Sequence, residues 1–76
     1  MDEQKEMALG ITLLYYKYTE EASRANFRLT TGRRDFYLQE FLICLDILQH
    51  RVALPIEFRN LYRTKLSRVV SDLRQM

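Results

Sequence analysis

One cysteine, one histidine, one proline and two glycines in 76 residues are few, and each scarcity excludes something. A lone thiol, Cys44, forms no internal disulfide, so no covalent staple holds the fold and a reducing cytosol is the expected compartment. Two isolated glycines, Gly10 and Gly32, build neither a glycine-rich phosphate loop nor a nucleophile elbow. One Cys and one His fall short of a transition-metal ligand set, and no ligand spacing supports one. Cys44 and His50 stand about 9 Å apart along a helix axis and about 120° apart around it, so they do not meet as nucleophile and base within one chain. Neither Glu20 with Glu21 nor Glu40 with Asp46 falls at the three- or four-residue spacing that would pair two carboxylates on a helix. The expectation is therefore no enzyme, with no catalytic residue, no metal and no cofactor.

Neither a targeting segment nor a membrane span is expected. The opening MDEQKE is mostly acidic where a signal peptide needs basic residues, and the apolar run after it is interrupted by Gly10, Thr12 and Lys17. No membrane partner is expected, and the localisation read from these features is cytoplasmic.

What is present is apolar and helical. Apolar residues make up 47% of the chain and charged residues 29%, a balance that excludes disorder and, with so little Gly and Pro, favours helices joined by short connections. The stretch Phe36–Leu48, FYLQEFLICLDIL, holds ten apolar residues in thirteen. It is too long for a typical strand and reads as a helix apolar around most of its circumference. Tyr37, Phe41, Cys44, Leu45, Leu48 and Val52 form one broad face of it, and Phe36, Ile43 and Ile47 form a second stripe well away from that face.

The N-terminal segment repeats the pattern. Asp2, Glu3 and Glu6 suit a helix start. Met7, Ile11, Leu14, Tyr15, Tyr18, Ala22 and Ala25 then recur at spacings of three and four, while Leu9, Leu13 and Tyr16 lie on the other side. Gly10 costs roughly 1 kcal/mol in mid-helix and is compatible with a close backbone crossing. Asn26 accepts the left-handed conformation that ends many helices. In the connection that follows, Phe27 and Leu29 are expected to anchor the chain to the core, and Thr30, Thr31 and Gly32 to cap the next helix. Pro55 stops the second helix and opens a third. That third helix is amphipathic in the ordinary way, with Phe58, Tyr62, Leu66, Val69, Val70, Leu73 and Met76 on its apolar face.

The fold predicted is all-α, a single domain spanning residues 1–76 with helices at about 3–25, 33–51 and 55–74: a helical hairpin closed by a third amphipathic helix. A chain this short buries only about 60% of its unfolded surface, and its core supplies about 3–5 kcal/mol. Leu9, Leu13, Tyr16, Phe36, Ile43 and Ile47 exceed what three helices can cover. They are the expected interface of a homodimeric helical bundle, or of a regulatory module that binds another protein.

Charge supplies the alternative. Residues 1–21 carry two lysines against five acids, a net −3, and residues 22–76 carry ten cations against five acids, a net +5. Arg24, Arg28, Arg33 and Arg34 crowd the first connection, and the last two oppose the dipole of the helix they open. Guanidinium forks suit phosphates or carboxylates, so these four are the candidate contacts for an anion, an acidic partner or a nucleic-acid backbone. A helix-turn-helix would instead present Arg59, Arg63 and Arg74 on the third helix, but the long preceding helix and Pro55 depart from that motif.

Overall fold

The computed structural model describes residues 2–51 and 53–76, and it consists of three helices: α1 (Glu3–Arg24), α2 (Thr31–His50) and α3 (Ile56–Gln75). No strand occurs among the described residues. Local chemistry sets each boundary. The Asp2 side chain accepts a hydrogen bond from the Gln4 N–H at 3.0 Å, and Glu3 and Glu6 place negative charge in the first turn of α1. At the other end Asn26 takes a φ of 52°, its N–H donating to the Ser23 carbonyl while the Phe27 N–H reaches back to Ala22. These two bonds form a Schellman motif with asparagine at the left-handed position.

Helix α2 begins two residues earlier than periodicity predicts, because the Thr30 hydroxyl accepts from the Arg33 N–H at 3.3 Å and draws the first turn back to Thr31. Pro55 occupies the cap position of α3 rather than its first turn, with φ −56° and no side-chain cap.

The core takes Ile11, Tyr18 and Ala22 from α1, Tyr37, Phe41 and Leu48 from α2, and Phe58, Leu66, Val69, Val70 and Leu73 from α3, with Leu54 tucked in from the corner before Pro55. Met7, Leu14, Leu29, Cys44, Leu45 and Tyr62 pack against it half-buried. Val52, expected on the same face of α2, lies outside the described residues. Four expectations change. Tyr15 has core spacing but lies at the edge of its face and is exposed, and Met76, past the last turn of α3, is exposed too. Phe27 is 62% exposed instead of anchoring the connection, because its own backbone is left-handed, with φ 60°. Gly10 marks no crossing within the chain: a β-carbon added there would meet nothing within 4 Å.

Packing is uneven. Helices α2 and α3 bring their backbones close. Helix α1 rests on α2 through aromatic rings, with Tyr18 edge-on to Tyr37 at 5.5 Å and to Phe41 at 5.6 Å. Rings of this size hold helix axes apart. The closest partnership is thus the second and third helices, not the first hairpin.

Candidate functional site

Two ion pairs set how α1 and α2 face one another. Glu3 pairs with Arg51 at one end, and Glu21 pairs with Arg33 at the other, so the helices run antiparallel along a seam. At 100° per residue Glu3 and Glu21 share one line on α1, and Arg33 and Arg51 share one line on α2. Moving outward across that seam, Leu13 stands about 80° beyond the line on α1, and Phe36, Ile43 and Ile47 stand about 40–80° beyond it on α2. These four border one face. Leu9 and Tyr16 continue its apolar surface around the outer side of α1. Leu9, Leu13, Tyr16, Phe36 and Ile43 are all between 43% and 63% exposed, while Ile47 is half-buried.

The exposed apolar area of this surface is roughly 500 Å², within the range of the largest patch a soluble monomer carries and often a functional one. Lys17 and the half-buried Glu40 lie at comparable positions beside the seam, one charge of each sign.

The arginines of the first connection are mostly engaged. Arg24 pairs with Glu20 one turn before it. Arg33 grips Glu21 through Nε and Nη2 at 2.8 and 2.9 Å and lies over the rings of Phe36 and Tyr37. Arg34 holds Asp35 at 3.0 Å and donates to the Met76 carbonyl oxygen at 3.1 Å. Only Arg28 of the four lacks a carboxylate partner among the described residues. Of the two charges that opposed the dipole of α2, Arg33 is met by Glu21 of α1 and Arg34 by its neighbour Asp35.

Tyr37 completes that cluster, its hydroxyl donating to Glu21 Oε1 at 3.0 Å. The hydrogen bond from Arg33 holds the Glu21 carboxyl below the ordinary glutamate value, and the bond from Tyr37 adds to it. Burial, then the bond to Glu21, raises the Tyr37 hydroxyl, and Arg33 is raised chiefly by its bond to Glu21. Sequence reasoning missed this triad because Glu21 and Arg33 are twelve residues apart across a connection, where no helical period links them.

Cys44 is half-buried, and its thiol is pushed up by burial and then by Glu40, the reverse of what activates a nucleophile. His50 is exposed at the end of α2, with Nδ1 2.9 Å from the Asp46 carbonyl oxygen. Among the described residues no three His, Cys, Asp or Glu side chains come together as a metal set. Among the described residues no helix is long and apolar enough to cross a membrane. A cleft of about 390 Å³ opens between α1 and α3, walled by Tyr15 and Tyr62 with Lys65, Arg68 and Asp72 at its polar side. Burial, followed by the charge of Asp72 and by Tyr15, raises the Tyr18 hydroxyl close by.

No family model, curated protein or solved structure matches this chain.

Proposed function

We propose that this chain works by binding protein, its own copy included, through the apolar surface along the α1–α2 seam. The observation that carries the proposal is the exposure of Leu9, Leu13, Tyr16, Phe36 and Ile43 in a chain whose own helices leave them uncovered. A two-fold dimer that buries this surface on both copies removes about 1,000 Å² from water, the area a specific interface must clear and in the range of weak or transient association. A small core gains most from that addition. Because the seam carries both Lys17 and Glu40, the surface can meet its own copy without facing only like charge. A regulatory role in a reducing cytosol belongs to the same proposal.

Light scattering on the purified chain tests it. A dimer mass is expected, and Leu13→Glu or Ile43→Glu should give a monomer with unchanged helical circular dichroism. A monomer for the wild-type chain at about 100 µM, a concentration at which micromolar association is complete, would sink the homodimer.

The competing reading is contact between a nucleic-acid backbone and Arg24, Arg28, Arg33 and Arg34. It requires three of them to exchange a carboxylate of this chain for phosphate, and so it is the weaker one. Oligonucleotide binding that persists at physiological salt, and whose salt slope falls in the Arg33→Ala/Arg34→Ala variant, would favour it.

A further inference from the structure

Two arginines without a carboxylate partner among the described residues line a cleft on another part of the molecule. Where the end of α2 meets the first turns of α3, a cleft of about 200 Å³ is lined by Leu48, Gln49, Ile56, Arg59, Asn60 and Arg63. Two guanidinium groups one helical turn apart share this lining, and no acid does. Arg24, Arg33, Arg34 and Arg51 each hold a carboxylate, whereas Arg59 and Arg63 hold none among the described residues.

Arg59 is the more telling of the two. Its side chain is partly covered, and its Nε is buried without a hydrogen-bond acceptor among the described atoms. A guanidinium N–H taken out of water and left unbonded is destabilising, and an anionic oxygen is its strongest acceptor. Arg63 donates from Nη2 to Asn60 Oδ1 at 3.2 Å, which leaves the Asn60 amide N–H groups and the other Arg63 donors for something else. The donors are polar and cationic, while Leu48 and the exposed Ile56 make the rest of the wall apolar.

We propose that this cleft binds a single oxyanion, carboxylate or phosphate, carried on a short carbon stem. The oxyanion accepts hydrogen bonds from the Arg59 and Arg63 guanidinium groups, and the stem lies against Leu48 and Ile56. The cleft is on the α3 side of α2, away from the seam with α1, so the proposal stands or falls separately from dimerisation.

Nitrogen-15 spectra of the arginine side chains test it on the full chain, with propionate, ethyl phosphate and inorganic phosphate as probes and sodium chloride at matched ionic strength as control. A saturable shift of the Arg59 Nε–H resonance is expected with propionate if the oxyanion is a carboxylate, or with the two phosphates if it is a phosphate. Ethyl phosphate binding more tightly than inorganic phosphate would support the stem. Arg63→Gln should weaken the binding about tenfold, the scale of losing hydrogen bonds to a charged group, and Arg63→Lys should restore part of it. If none of the probes gives a saturable shift, if sodium chloride reproduces it, or if Arg63→Gln leaves it unchanged, the proposal is overturned. Helical circular dichroism of Arg63→Gln confirms that the variant is folded.

Discussion

Arg33, in the first turn of α2, holds Glu21, near the end of α1, with two parallel hydrogen bonds of 2.8 and 2.9 Å. The pair closes the connection between the two helices, and Tyr37 fastens it from the core side. It is partly exposed, so its contribution is small and screened by salt, but its dependence on pH is definite. The Glu21 carboxyl titrates below the ordinary glutamate value when folded. Its stabilisation is therefore fully present above the unfolded value of about 4.3, and is lost as pH falls through the lower folded value. Glu21→Gln should lower the melting temperature at pH 7, and the difference from wild type should close on acidification. A gap that does not narrow at all as the pH is taken below the unfolded value would mean that the charge of Glu21 is not what closes the connection.

Phe41 tests the core. It is fully buried and stands edge-on to Tyr18 while stacking with Tyr37. Phe41→Ala should cost about 3–5 kcal/mol, comparable with the whole stability expected of a domain this small. Urea unfolding followed by circular dichroism reads the loss. A variant that melts within a few degrees of wild type would show that the aromatic layer between α1 and α2 is not the centre of the fold.

Phe27 tests the turn. Its left-handed backbone costs about 1–2 kcal/mol for an L-residue, and its exposed ring returns little by packing. Glycine adopts that conformation freely but gives up roughly 0.5–1 kcal/mol of chain entropy. Phe27→Gly should thus raise stability by up to about 1 kcal/mol, a few degrees in melting temperature for a chain of this length. A clear fall instead would show that the Phe27 ring is held by contacts its exposure conceals, a partner surface among them.

Much of the fold is legible in the residues themselves, because helices rest on local chemistry. The spacing of Ile11, Tyr18 and Ala22, of Tyr37, Phe41 and Leu48, and of Leu66, Val69, Val70 and Leu73 names the buried faces before any helix is placed against another. Asp2, Thr30, Asn26 and Pro55 mark the helix ends because capping involves only a few neighbouring residues. The surplus stripes of Leu9, Leu13 and Tyr16 and of Phe36, Ile43 and Ile47 follow from the same periodicity. Three matters were settled only by tertiary structure, since each depends on groups far apart in the chain. One is that α2 and α3 pack closely while α1 rides on a layer of rings, which is decided by the sizes of side chains that meet. Another is that Leu13 and the α2 stripe border the same seam, which follows from Glu3 with Arg51 and Glu21 with Arg33. The last is which arginines keep their charge unpaired. Periodicity places a guanidinium on a face, but whether a carboxylate reaches it depends on the element packed beside it. For that reason the crowded connection is largely neutralised from within, while Arg59 and Arg63, which spacing places only on an exposed edge of α3, share a cleft without an acid.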